Sequence, residues 1–185
     1  ISREKSFFYD HSSLNKIIND NKFIESYSLA KLKSFNPNIF NCCDKHRMYI
    51  EIIQNSNEYI KEGAVFNETG IIGQVVNNKS FYEVMLLTDT KSSIPLTNSK
   101  ENFYCNALGS GVSGYITCSY NQLVWLDDHE LGEKFFSSGL GGIYPKGIEI
   151  GSLESIKIID TSTTLLKFKL ISNPLHSNLF GVIKL

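Results

Sequence analysis

The residues with chemistry to offer sit in a few short stretches. Gly109-x-Gly111-x-x-Gly114 reproduces the dinucleotide fingerprint letter for letter. That fingerprint works between a strand and a helix, where amide groups and the helix dipole meet a pyrophosphate. Here the strand-like GYITCSY follows and no helical periodicity does, so a hairpin turn is expected instead. LDDHELGE gathers Asp127, Asp128, His129, Glu130 and Glu133, all of them ligand types for a metal ion. Their spacing fits neither an EF-hand nor an H-E-x-x-H helix, and they fall between two strand-like runs. A hydrated acidic loop is expected there. Ser113-Gly114 and Ser137-Ser138-Gly139 offer nucleophiles for Ser-His-Asp chemistry. The bases on hand are His11, His46, His129 and His176, none placed persuasively, and the Gly-Asp-Ser-Gly context of trypsin-like enzymes is absent. Trp125, Tyr144 and Phe180 are expected as core or rim aromatics, without a cofactor.

Cys42, Cys43, Cys105 and Cys118 lack the spacing of a zinc site. With a turn centred on Gly111 and Val112, Cys105 falls opposite Cys118, Ala107 opposite Ile116 and Phe103 opposite Tyr120. A one-residue slip would mix apolar and polar faces, so burial selects against it. The two cysteines are then either small buried core thiols or, in an oxidising compartment, a cross-strand disulfide.

The elements that position these residues follow from the patterning. A chain of 185 residues, 42% hydrophobic and 20% charged, suits one ordinary domain or two small ones. A net charge of −1 with no concentrated basic patch argues against a nucleic-acid partner. No apolar run is long enough to span a bilayer. The chain opens on Ile1 and not on Met, as expected of a fragment with any anchor upstream.

Ser12 and Ser13 can cap a helix, and Leu14, Ile17, Asn21 and Ile24 follow helical spacing. As a heptad seam this stripe predicts a dimer, with Asn21 fixing register; as an amphipathic face it predicts packing on the chain's own domain. Beyond Asn36-Pro37 the period becomes two. RMYIEII, AVFN, GIIGQVV, YEVMLLT, IPLT, NFYCNALG, GYITCSY, LVWL, EKFFSS, GIEIG with SIKII, TLLKFKLI and FGVIKL read as short strands separated by turn residues. The body is therefore all-β, a sandwich or barrel architecture. FFSSGLGGIYPKGIEIG holds five glycines and a proline, which supply turns and bulges; a bulge is expected near Gly151 to Leu153.

At this stretch the sequence resembles the MreC family of bacterial rod-shape-determining proteins. FFSSGLGGIYPKGIEIGSLESI is similar to a Thr-Ser-Gly-Leu-Gly-Gly segment leading into Phe-Pro-x-Gly and Ile-Gly-x-Val. EYIKEGAVFNETGIIGQVV, FYEVMLLTD, LGEKFFSSG and NPLHSNLFGVIKL resemble further family strands in the same order. The likeness covers about residues 45–185, with Glu133 where Asp is usual and Ser137 where Thr is. Cys42-Cys43 and the start of the helix match nothing in it.

The resemblance implies two small β-barrel-like domains, in a chymotrypsin-like arrangement without a triad. Residues 1–28 would be an N-terminal helix ending a coiled coil, 29–90 the first barrel and 91–179 the second, with the closing strand 180–185 able to return to the first. Gly70, Gly73, Gly139, Gly141, Gly142, Gly147 and Gly151 would be structural turn glycines. The implied function is a non-enzymatic scaffold on the periplasmic side of the bacterial inner membrane, without cofactors or metals. Implied partners are the elongation-specific penicillin-binding transpeptidase, MreD, MreB, RodZ and a second copy of the chain. A periplasmic location favours the Cys105–Cys118 bridge. A serine-hydrolase-like double barrel and a peptidoglycan-binding module are the alternatives.

Overall fold

A computed structural model describes residues 12–20, 26–38, 44–54, 60–78, 81–122 and 129–183. The chain runs through helix α1 (Ser12–Asp20), then β1 (Tyr27–Phe35), β2 (Arg47–Gln54), β3 (Gly63–Asn67), β4 (Gly70–Asn78) and β5 (Tyr82–Leu86). It continues through β6 (Ser93–Asn98), β7 (Tyr104–Gly109), β8 (Tyr115–Asn121), β9 (Lys134–Ser137), β10 (Glu149–Ile158) and β11 (Thr163–Leu170), and ends on β12 (Leu179–Ile183). The strands close into two antiparallel barrels, ordered β1-β12-β3-β4-β5-β2 and β10-β11-β8-β7-β6-β9. Closure leaves neither barrel a fully open sheet edge.

The first barrel is filled by Met48, Ile50, Val65, Ile72, Val84, Phe180 and Val182 from alternating positions of its strands. Its last wall is β12, which lies between β1 and β3 with Val182 opposite both Ser28 and Val65. A second apolar cluster runs through the other barrel, including Phe103, Ile116, Phe135, Leu166 and Phe168, and reaches Leu29, Phe66 and Ile71 of the first. The barrels therefore share packing across their seam.

The expected coiled coil is overturned. Helix α1 has nine residues, and Leu14 and Ile17 are buried in the second cluster. Their apolar face packs on the chain's own barrels, and a helix this short cannot sustain a heptad seam. Asn21 and Ile24 lie outside the described residues. Strand β1 was not legible in the sequence. Its YSLAKLKSF favours helix by propensity, yet β12 and β2 pair with it on either side and impose the extended form.

The β7–β8 register also differs from the expectation. Leu108 lies opposite Thr117 and Gly109 opposite Ile116, a shift of two residues that keeps both faces as predicted. The cause is a longer turn, in which the Ser110 hydroxyl donates to the Tyr115 carbonyl at 2.6 Å and Gly111 and Gly114 take positive φ. β10 is one strand, with register shifts between Glu149 and Gly151 and between Leu153 and Ser155.

Candidate functional site at the seam between the barrels

The short link from β5 to β6 is the most heavily bonded stretch at the seam. Asp89 is fully buried, and its Oδ2 accepts from the His46 amide and from Arg47 Nε, each at 2.9 Å. Its Oδ1 accepts the Lys91 amide at 2.9 Å. Arg47 also stands 3.8 Å from Glu83, so the buried guanidinium faces two carboxylates. His46 Nδ1 is 2.7 Å from the Thr88 hydroxyl. The desolvation of its ring lowers the His46 pKa, and Asp89 opposes that shift. From the other side the β7–β8 hairpin tip closes on the same link. Gly109 donates to the Ser92 carbonyl and Gly111 to the Thr88 carbonyl. A Cβ on Gly109 would collide with the Asp89 carbonyl, so only glycine permits this approach. The link is thus clasped by both barrels.

The glycine-rich loop after β9 forms the second part of the seam. Ser137 is buried, and its hydroxyl lies against the Pro145 carbonyl and accepts the Ile148 amide at 3.0 Å. This ties the two ends of the loop together. Ser138 accepts the Leu140 amide. Tyr144 folds back under the loop, 2% exposed, and donates to Gln74 Oε1 on β4 at 3.0 Å. Burial pushes its phenol far above the ordinary tyrosine range. Beside it a cleft of about 320 Å³ is lined by Gln74, Met85, Lys91, Leu140, Ile143 and Tyr144.

The expected glycines divide into two groups. Gly70, Gly139, Gly141, Gly142 and Gly147 have positive φ. Gly73 and Gly151 lie inside β4 and β10, where a Cβ would strike the Met85 and Lys169 carbonyls of the neighbouring strands. Cys105 and Cys118 are bonded as a disulfide, with Cα atoms 6.3 Å apart.

No hydrolytic constellation forms among the described residues. His46 engages Thr88, His129 engages Glu133 at 3.0 Å, and His176 engages Glu68 at 2.9 Å, whereas Ser137 and Ser138 bond backbone. His11 and Trp125 lie outside those residues, as do Asp127 and Asp128. The acidic loop is not simply hydrated: the His129 side chain is 2% exposed, with its ring 4.4 Å from that of Phe103 and 5.9 Å from that of Phe135. Phe103 precedes β7, 26 residues upstream, and Phe135 lies in β9 just beyond the loop, so the local acidic composition concealed the burial. Among the described residues no group of acidic, histidine or cysteine side chains could hold a metal ion. What the seam can do is fix the relative placement of two barrels and present their joint surface.

Comparison with known proteins adds a lineage to this geometry. Residues 39–180 match the family described as "Rod shape-determining protein MreC, barrel core". The cell shape-determining protein MreC of Haemophilus influenzae is 30% identical over 115 residues, 61% of this chain and 32% of that protein. The chain thus spans about a third of the length of that curated relative. The crystal structure of MreC from Pseudomonas aeruginosa superposes with a TM-score of 0.72 at 22% identity, covering 86% of this chain and 99% of that one. A complex between penicillin-binding protein PBP2 and MreC from Helicobacter pylori gives a TM-score of 0.64 at 18% identity, covering 86% and 98%. At these identities the structures establish the shared fold.

Proposed function

The chain belongs to the MreC family, and from that membership we propose that it is a non-enzymatic scaffold of the bacterial cell-elongation machinery. It works on the periplasmic side of the inner membrane and binds the elongation-specific penicillin-binding transpeptidase. The observation that carries this reading is the family match, together with the structural bonds that engage His46 and Arg47 at the link and Ser137 within its loop. A relative described in complex with PBP2 supports the choice of partner. A scaffold of this kind acts by binding one conformation of its partner more tightly than another, which shifts the partner's population without covalent chemistry. Association with MreD, MreB and RodZ, and with further copies of the chain, extends the same proposal.

The test is a calorimetric titration of the folded chain with the periplasmic region of its cognate elongation transpeptidase. Saturable binding is expected. A folded chain that shows no heat and no co-sedimentation with that partner would sink the scaffold reading. Covalent labelling of Ser113, Ser137 or Ser138 by a fluorophosphonate would revive the hydrolase instead.

A further inference from the structure

The β7–β8 seam of the second barrel is closed in an unusual way. Among the described residues, its ladder holds only the pairs Leu108↔Thr117 and Gly109↔Ile116, at the hairpin tip. On their other sides the same strands are paired along most of their length. β7 pairs β6 from Ser93↔Leu108 to Thr97↔Tyr104, and β8 pairs β11 from Thr163↔Asn121 to Lys169↔Tyr115. Below the tip the Cys105–Cys118 bridge joins the two strands. Extending the tip register would set Cys105 opposite Tyr120 and Cys118 opposite Ala107, so the bridge is a diagonal staple across the seam. The tip it supports is the one that donates from Gly109 and Gly111 to Ser92 and Thr88 of the inter-barrel link. That link is locked to the first barrel through Asp89 and Arg47.

We propose that the Cys105–Cys118 bridge takes the place of the missing ladder and that its reduction releases the hairpin tip from the link, so that thiol–disulfide exchange sets how rigidly the two barrels are held. Cys118 is 1% exposed and Cys105 only partly buried, which makes the Cys105 sulfur the point of attack. A dithiol donor supplies the chemistry. One donor thiolate attacks Cys105, and Cys118 leaves as a thiolate and takes up a proton. The second donor thiolate then displaces Cys105, which is protonated in turn as the donor departs as a disulfide. The bridge gains two electrons and two protons, and the donor loses them.

The test compares oxidised and dithiothreitol-reduced chain in a Cys42→Ser/Cys43→Ser background, by amide hydrogen exchange and thermal melting. Reduction is expected to lower protection of the Gly109 and Gly111 amides at least about tenfold and to leave the β8–β11 amides protected. The melting temperature should fall by about 6–12 °C, the scale for opening a short covalent loop in a chain of this size. A Cys105→Ala/Cys118→Ala variant should behave like the reduced chain and ignore the reductant. Unchanged protection at Gly109 and Gly111 would overturn the proposal. So would loss of protection throughout both barrels, since the bridge would then hold the fold and not the seam. Two alkylatable thiols at these positions in protein from an oxidising compartment would overturn it as well.

Discussion

The hydroxyl of Tyr144 donates to Gln74 Oε1 at 3.0 Å, hydrogen-bonding a loop of the second barrel to a strand of the first. Tyr144→Phe keeps the ring and removes this bond, and is expected to cost about 1 kcal/mol, or about 2–4 °C in melting temperature. Tyr144→Ala also empties the ring's site and should cost about 3–5 kcal/mol, by analogy with buried phenylalanine. Equal losses in the two variants would contradict the packing role of the ring.

His46 gives the seam a pH dependence. Its pKa lies below the ordinary 6.5 in the folded chain, chiefly because burial disfavours the charged ring. The unfolded chain therefore takes up the proton first as pH falls. The stability linked to His46 is present in full above about pH 6.5 and is lost as pH drops through the lower folded value. Urea denaturation at about pH 7.5 and about pH 5 should show a smaller loss on acidification for His46→Gln than for the native chain. Parallel losses would show that the ring does not titrate on unfolding.

Two glycines of the seam loop separate backbone strain from crowding. Gly141 has φ +79° with open space where a Cβ would stand, and Gly139 has φ +78° with the Lys146 Cβ only 2.8 Å from that position. Gly141→Ala should cost about 1–2 kcal/mol from the left-handed backbone. Gly139→Ala carries the same strain plus a collision and should cost more by chemical denaturation. The reverse order would mean that the loop is not held against Lys146.

Leu14 tests the corrected role of the helix. It is fully buried against the chain's own core, so Leu14→Ala should lower the stability of the single chain by about 2–5 kcal/mol. Its sedimentation mass should stay that of the native chain. A change of mass without loss of stability would return this side chain to an interface between copies.

The sequence made the strands legible wherever local pattern and burial agree. In GAVFN and GIIGQVV the apolar runs and bracketing glycines state the barrel wall directly. Strand β1 was hidden because leucine, alanine and lysine read as helix until two neighbouring strands are in place. The hairpin register was missed by two residues because alternation fixes parity but not turn length, and Ser110 sets the length through a bond to Tyr115. The Asp89 clasp was invisible for another reason. Its partners His46 and Arg47 lie more than 40 residues upstream, and only the folded first barrel brings them to the link. An apolar run, Val84 to Leu87, that leads straight into Thr88-Asp89 was the available signal.

Strand β12 sits between β1 and β3, yet it follows the whole second barrel in the chain. A polypeptide emerging N-terminus first therefore holds five strands of its first barrel around a gap until residues 179–183 arrive. The half made first is finished last. During synthesis the unfilled slot leaves β1 and β3 each with an unpaired edge, and completion of the first barrel reports that the second has already been made.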